Sequence, residues 1–246
     1  MSGLPAPAAA LVDALPAVDL ATLEREAELA VRTDRKHLLG WPDVTRLLEA
    51  LAPSHRALEI DRRRAFAYDT TYFDTDDLHC FRAHVQGRRR RYKCRTRLYA
   101  DTDVCALEVK LRGAGDRTVK LRRTVAVDDH GRLDADGRAF LGECLGPVPP
   151  MAAVLRGRHT RVTLVGDGER CTLDFDLDYA GGGALAPGLV IVESKSEFGR
   201  GVADRTLLAL RSRPMPCSKY CLGIALQRRA AAPVEIRPLV RMCEAA

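Results

Sequence analysis

The stretch RYKCRTRLY, residues 91–99, decides the fold because its charged side chains alternate with uncharged ones. Residues two apart in a β-strand point to the same face, so one face of this predicted strand is entirely cationic. The opposite face carries small or apolar side chains. The cationic face consists of Arg91, Lys93, Arg95 and Arg97.

The other predicted strands show the same alternation. Glu108 with Lys110, and Lys120 with Arg122, share faces in the next two strands. Further polar faces are predicted for three groups: Arg32, Asp34 and Lys36; Thr172, Asp174, Asp176 and Asp178; Glu193, Lys195 and Glu197. For any single strand, the charged side chains are explained by an antiparallel sheet that exposes one face to solvent. Cations on neighbouring strands repel one another, however, so the joint pattern favours a compensating anion such as a chain of phosphates.

Short turns between the strands imply antiparallel neighbours. We therefore predict an α+β fold in which an antiparallel β-barrel encloses the charged face and helices cover the apolar outside. The helices predicted to cover it lie near 42–51, 201–211 and 219–228, and others are predicted near 20–30 and 134–146. The predicted division is a flexible segment 1–20, one domain 21–232 and a tail 233–246.

Composition agrees with an anionic partner. The 246 residues are 46% hydrophobic and carry a net charge of +6, but aromatic residues make up only 5%. No aromatic side chain interleaves with the basic strand as a base-stacking surface requires, which argues against nucleic acid. The sequence shows neither a signal peptide nor an apolar run that could span a membrane, so we expect a soluble, cytoplasmic protein. The eight cysteines lack paired metal-site spacing and are expected to be reduced thiols.

Five stretches, in order, resemble the VTC-type polyphosphate polymerase domain, a member of the triphosphate tunnel metalloenzymes, which are CYTH-like. They are YFDTDDLHCFRAHVQGRRRRYKCRTRLY, LEVK, VKLRR, VESK and CSKY, within a resemblance over residues 32–228. It implies a β-tunnel that binds ATP and polyphosphate and uses Mn²⁺ or Mg²⁺. The implied reaction transfers the γ-phosphoryl group of ATP to the chain and releases ADP. Without direct membrane insertion, any membrane-protein partner would be a separate chain.

The resemblance also implies site residues. Those expected to act in catalysis are Lys36, Arg95, Arg97, Lys110, Lys120, Arg161, Arg170 and Lys219. Those expected to bind substrate are Lys93, Arg122, His159, Lys195 and Ser218. Glu193 is expected to hold the metal. Arginine suits these roles because its fork matches phosphate oxygens, and lysine supplies a point charge.

Several alternatives stay open. The related hydrolases and cyclases often begin with E-x-E-x-K, whereas the matching face here is Arg32, Asp34 and Lys36, which argues weakly against a hydrolase of tripolyphosphate or nucleoside triphosphates. A non-catalytic polyphosphate-binding module is the third hypothesis. His159 replaces a tyrosine of the family pattern and is either a phosphate donor or a buried structural residue. Glu108 is expected to pair with basic neighbours. The run 88–90 is a tunnel mouth or, as favoured here, a solvated hairpin.

Overall fold

A single sheet of ten strands organises the molecule in the computed structural model, which describes residues 3–26, 33–112, 118–166, 168–216, 218–228 and 237–244. The strands are β1 (Ala17–Val18), β2 (Thr33–Gly40), β3 (Arg56–Leu58), β4 (Ala65–Asp74), β5 (Arg91–Tyr99), β6 (Val104–Arg112), β7 (Thr118–Val125), β8 (Ala152–Gly166), β9 (Glu169–Tyr179) and β10 (Leu189–Ser196). Their main order is β2-β10-β9-β8-β4-β5-β6-β7, with β3 beside β8 and β1 beside β3.

The sheet is antiparallel apart from the short pair of β1 and β3. Strands β2 and β7 form the two ends of the main order and do not pair within the described residues. Burial and the charge of Lys36 on β2 nevertheless lower the pKa of Lys110 on β6. The two ends of the sheet therefore face each other across a lumen. The α+β class and the tunnel fold are confirmed, although the sheet is not closed by backbone hydrogen bonds.

The helices are α1 (Ala6–Ala14), α2 (Leu20–Glu26), α3 (Trp41–Leu51), α4 (His79–Val85), α5 (Ala135–Leu145), α6 (Val202–Ala209), α7 (Lys219–Arg228) and α8 (Arg237–Glu244). In the described part of the chain, no helix is both long and apolar enough to cross a membrane. Of the residues that the sequence singled out, Arg32 and Cys217 lie outside the described ranges.

Helices α3 and α6 cover the outer face of β9 and β10, as predicted. The apolar stripe of α3, with Leu47 and Leu48 fully buried, packs in one cluster with Leu173, Val192 and Leu207. Helix α5 covers the outer face of β5 and β6 in a second cluster. Helix α1 also belongs to the first cluster, so the segment 1–20 contains a packed helix where the sequence predicted a flexible chain.

Helix α7 does not cover the outside, and this prediction was wrong. It packs against Tyr72, Leu155 and Ile191, which lie on the charged face of the sheet. A Cβ atom on Gly223 would lie 2.5 Å from a methyl carbon of Leu155, so only glycine allows this close approach. The apolar side of α7 therefore fills one end of the lumen.

A β-bulge in β9 explains why apolar side chains reach this end of the lumen. Arg158 pairs with Asp178 but Thr160 pairs with Phe175, so β9 carries one extra residue between the two pairs. Asp176 absorbs the change with a φ of 52°. The bulge rotates Leu177 onto the lumen side, where it packs in the cluster of α7. The predicted polar face of β9 is thus wrong for Asp176 and Asp178.

Asp74, at the end of β4, fixes both α4 and α7. Its fully buried carboxylate accepts hydrogen bonds from the backbone N–H groups of Cys80 at 2.8 Å and Phe81 at 3.0 Å. These donors are orphan N–H groups in the first turn of α4. The hydroxyl of Tyr220 in α7 donates to the same carboxylate. The two helices are consequently held together at one end of the tunnel.

Candidate functional site in the tunnel lumen

The strand register places the predicted strand residues on one face, and the remaining two lie at the start of α7. Lys36 and Glu193 are direct partners on β2 and β10, and Lys93, Lys110 and Lys120 form a row across β5, β6 and β7. This face lines the lumen. The strand members of the predicted set are Lys36, Lys93, Arg95, Arg97, Lys110, Lys120, Arg122, His159, Arg161, Arg170, Glu193 and Lys195.

Glu193 lies between two lysines. Its Oε1 is 2.8 Å from Nζ of Lys36, and its Oε2 is 2.7 Å from Nζ of Lys195. Burial alone would raise the pKa of Glu193, but Lys195, Lys36 and Arg161 hold it well below its usual range. The carboxylate is therefore ionised at neutral pH and has both oxygens engaged. Burial also lowers the pKa of Lys195 to about 8.

Asp174 on β9 joins the sheet to α7. It accepts two hydrogen bonds from Arg161, at 2.5 Å from Nε and 2.7 Å from Nη2, and it also pairs with the ammonium group of Lys219. Such a bidentate pair fixes the guanidinium plane. Burial opposes ionisation of Asp174, but Arg161 and Lys219 hold its pKa well below the usual value. Asp174 thus positions one cation from the wall and one from the helix.

Glu108 repeats this arrangement on the opposite wall. Its Oε2 is 2.7 Å from Nε of Arg95, and Oε1 pairs with Lys120. The sequence expectation that Glu108 pairs with basic neighbours is confirmed. Burial would raise the pKa of Glu108, yet Arg95, Arg97 and Lys120 keep it below its usual range. Of the carboxylates on the lumen face, Glu193, Asp174 and Glu108 are therefore each held by two cations.

The cations of the lumen outnumber these carboxylates. In the row of Lys93, Lys110 and Lys120, like charges lie directly opposite one another on neighbouring strands, an arrangement that destabilises an empty sheet. Lys93 donates to the hydroxyl of Ser218 at 2.8 Å. Burial lowers its pKa to about 8, and the charges of Lys110 and Lys36 act in the same direction. An anion in the lumen would relieve this repulsion.

The sequence analysis missed Tyr68 on β4 as part of the site. The guanidinium groups of Arg97 and Arg161 each lie 5.2 Å from the centre of its ring. His159 stacks on the ring at 5.2 Å, and its Nε2 lies 3.7 Å from Asp174. Burial and the charge of Lys219 hold the pKa of His159 well below its usual value, so the imidazole is neutral. Alternation in AFAYDTTYF was the signal that placed Tyr68 on the lumen face.

The remaining predicted residues lie nearer the edges of the site. Arg122 is exposed and lies over the ring of Tyr99 at 5.1 Å. Arg170 pairs in register with Lys195 near one end of the lumen. Ser218 precedes α7, and its hydroxyl accepts a hydrogen bond from the N–H of Cys221 at 3.3 Å. Ser218 thereby links the first turn of α7 to Lys93.

A divalent ion would find few protein ligands here. The described residues contain no group of three or more His, Cys, Asp or Glu side chains that could hold a metal. Glu193 offers carboxylate oxygens on the lumen face, and both contact lysines. Mg²⁺ commonly takes one or two carboxylates and completes its coordination with water and substrate phosphates. The donor set fits a metal that arrives with a phosphorylated substrate.

Comparisons with known proteins agree with this geometry. Residues 31–133 match the sequence profile of the VTC domain. The resemblance to the VTC domain is confirmed. The matched VTC segment supplies β2 to β7, and with them Lys36, Arg95 and Glu108. The other lumen residues lie beyond it on β8 to β10 and α7. No curated protein sequence matches the chain.

Two solved structures share the fold. An adenylate cyclase candidate from Bacillus halodurans is 14% identical, with a TM-score of 0.51 and coverage of 76% of this chain and 94% of that one. An adenylyl cyclase candidate from Hippeastrum, in which triphosphatase activity is dominant, is 17% identical, with a TM-score of 0.52 and coverage of 80% and 94%. At such low identity these likenesses show the tunnel fold alone.

Proposed function

We propose that the chain is a metal-dependent polyphosphate polymerase that works inside the basic tunnel. One observation carries the proposal: the row of Lys93, Lys110 and Lys120 adjoins three cation-held carboxylates on the same lumen face. A chain of phosphates matches this extended row, because each phosphate adds a charge and oxygens that lysine and arginine can bind. The VTC domain match supports the same substrate class. Use of ATP is consistent with a cytoplasmic location.

The proposed reaction is a transfer of one phosphoryl group. A terminal oxygen of the polyphosphate chain forms a bond to the γ-phosphorus of ATP, the bond from that phosphorus to the β–γ bridging oxygen breaks, and ADP leaves. Catalysis of such transfers comes mainly from positioning and from stabilising charge. Arg161 and Lys219, both held by Asp174, would bind the transferred phosphoryl group.

A divalent cation, Mn²⁺ or Mg²⁺, would neutralise charge on the phosphates of ATP. Glu193 is the residue that would hold it. Since Lys36 and Lys195 contact that carboxylate, each is positioned to move onto a phosphate oxygen when the metal binds Glu193. The two lysines would then bind substrate with the same charge that now neutralises Glu193.

Product stoichiometry tests the proposal. Purified protein is incubated with ATP and Mn²⁺, and ADP, orthophosphate and chain phosphate are measured together. We expect ADP with an equal amount of chain phosphate, and we expect Glu193→Gln and Lys219→Met to lose most of the rate. Arg46→Gln, at an exposed ion pair on α3, is the control and should retain wild-type rates.

The two alternatives predict different products. ADP with an equal amount of orthophosphate would make the chain a hydrolase, and the dominant triphosphatase activity of the Hippeastrum neighbour keeps this second candidate in view. The exposure of Lys110, Lys120 and Arg122 favours it as well, since water reaches the lumen at β7. No turnover with tight binding of polyphosphate would leave a binding module. Either result overturns the polymerase.

A further inference from the structure

A second group of cations lies on the outer face of the sheet, where the proposed reaction does not use it. On β4 and β8, Asp69 pairs in register with Arg158, and Thr71 pairs with Arg156. These positions alternate with lumen positions such as Tyr68, so their side chains point away from the lumen. The lumen and this group therefore occupy opposite faces of the same two strands.

The carboxylate of Asp69 holds the group together. It accepts hydrogen bonds from Nε of Arg156 at 2.9 Å, from Nη2 of Arg156 at 2.7 Å and from Nε of Arg158 at 2.8 Å. Nε2 of His130, in the link between β7 and α5, lies 3.1 Å from the same carboxylate. Burial alone would raise the pKa of Asp69, but the hydrogen bonds from His130, Arg156 and Arg158 hold it well below its usual value. The ionised carboxylate thus fixes both guanidinium groups on the sheet.

The two arginines are fixed and yet remain open to solvent. The side chain of Asp69 is 9% exposed, whereas those of Arg156 and Arg158 are 45% and 62% exposed. Asp69 engages Arg158 through Nε, so the two terminal nitrogens of Arg158 keep their donors for another partner. An arginine that is already held in place binds an anion with a smaller loss of side-chain freedom.

A groove of about 680 Å³ opens beside these arginines. Arg132, His130 and Arg156 line it, together with small residues that include Ala153 and Gly181. Arg132 is exposed, and within the described part of the chain no salt bridge engages it. Nδ1 of His130 is buried and has no hydrogen-bond partner among the described residues. The groove therefore offers a ligand both cationic donors and an unused polar atom.

Positive charge exceeds negative charge around the groove. The cations are Arg132, Arg156 and Arg158, and Asp69 neutralises one of them. Asp178 on β9 lies in register with Arg158, but no salt bridge joins the two side chains. A positive charge remains even when both carboxylates are counted. The fork of a guanidinium group matches phosphate oxygens, so a phosphate-bearing anion suits this surface.

We propose that this groove is a second phosphate site, outside the tunnel, that binds a compact anion with adjacent phosphate groups. The inference does not rest on the proposed polymerase, because the groove arginines lie on the outer face of the sheet. Arg132, Arg156 and Arg158 bind the phosphate oxygens, and Asp69 holds two of these arginines in position. One molecule can then hold an anion on each face of β4 and β8.

Pyrophosphate is the probe, and a lumen variant keeps its binding in the tunnel weak. This background is Lys93→Met with Lys110→Met, which removes two cations of the lumen. Neither lysine forms an ion pair with a carboxylate among the described residues, so the substitutions relieve repulsion and the protein should fold. Dissociation constants and stoichiometry are measured by calorimetry.

The groove variants add Arg132→Gln to this background, alone or with Arg156→Gln. Arg132 is exposed, so the single variant tests the groove without disturbing the buried carboxylate. The matched controls add Arg62→Gln, alone or with Arg200→Gln, which remove the same charge from exposed positions before β4 and before α6.

We expect the background to bind one pyrophosphate and each groove variant to bind it about tenfold more weakly, because a charge-assisted hydrogen bond is lost. The controls should keep the affinity of the background. A background that bound no pyrophosphate would overturn the second site. Equal affinities in the groove variants and their controls would overturn it as well.

Discussion

At the scale of single residues, the lumen combines carboxylates that fix cations with cations that are left to meet an anion. Asp174 holds Arg161 and Lys219 in place, and Glu108 holds Arg95 and Lys120. Lys93 is different, because its ammonium group contacts the hydroxyl of Ser218 and, among the described residues, forms no ion pair with a carboxylate. These two kinds of residue respond differently to mutation and to pH.

Lys93 should make polyphosphate binding depend on pH. Its pKa is about 8 because burial disfavours the charged form, and a bound phosphate oxygen stabilises that form and raises the pKa. Binding above pH 8 therefore takes up a proton. We expect the affinity for long-chain polyphosphate to fall as pH rises from about 7 to about 9, measured by calorimetry.

Lys93→Arg is the matched variant for this effect, since arginine stays charged throughout this range. It should bind with a flatter pH profile, and the remaining slope is assigned to Lys195, whose pKa is also about 8. Identical profiles for wild type and Lys93→Arg would contradict the role given to Lys93.

Asp174→Asn should destabilise the free protein. The substitution leaves the buried cations Arg161 and Lys219 without their carboxylate, and removing one partner of a buried pair typically costs about 3–5 kcal/mol of unfolding free energy. Urea denaturation measures the loss. Tripolyphosphate should restore part of it, because its oxygens replace the carboxylate.

Asp43→Asn is the control for that measurement. Asp43 pairs with Arg46 on the surface of α3, where an exposed ion pair contributes about 0–1 kcal/mol. The account of Asp174 would be refuted if both variants lost the same small amount, or if tripolyphosphate stabilised Asp174→Asn no more than wild type.

At the scale of elements, the bulge in β9 couples the sheet to α7. It places Leu177 and Tyr179 on the lumen side, and the hydroxyl of Tyr179 donates to the backbone carbonyl of Lys219 at 2.6 Å. The bulge thereby sets the position of the first residue of α7. A change in the bulge should move Lys219 without altering any charged side chain of the lumen.

Asp176→Val tests this coupling. Asp176 has a φ of 52°, which a β-branched residue adopts with a cost of about 1–2 kcal/mol, whereas glycine adopts it freely. We expect Asp176→Val to lose stability by that amount and to bind tripolyphosphate several-fold more weakly, measured by denaturation and calorimetry. Asp176→Gly should retain both properties. Equal binding by the two variants would show that the bulge does not position Lys219.

The elements also show where sequence reasoning succeeded and where it stopped. Period-two alternation predicted the lumen face of β5 and β6 because charged side chains stand at every second position from Arg91 to Arg97 and from Glu108 to Arg112. The same rule failed in β9, because the extra residue at Asp176 moves the side chains after it to the opposite face of the sheet. The alternation of polar and apolar residues in the sequence continues unbroken through this position. The sequence could not place α7 either. An apolar helix can pack on the outer face or fill the lumen, and the packing of α7 against Tyr72, Leu155 and Ile191 distinguishes the two.

At the scale of the whole molecule, the distribution of charge is more informative than the net charge. The net charge of +6 is moderate, yet cations predominate on the lumen face. Amino-acid composition predicted an anionic partner but not its place. The strand register concentrated the cations on one face, and the sheet order brought β2 opposite β6. Pairing between strands that are distant in the sequence cannot be predicted from the local sequence pattern.

The most direct test of the account is phosphorus-31 NMR of the protein incubated with ATP and Mn²⁺. Phosphates inside a chain give a signal separate from chain ends, nucleotides and orthophosphate. The account predicts that the internal-chain signal grows as ATP is converted to ADP, and that it is absent with Glu193→Gln or Lys219→Met. Consumption of ATP with orthophosphate as the only new phosphate signal would contradict it.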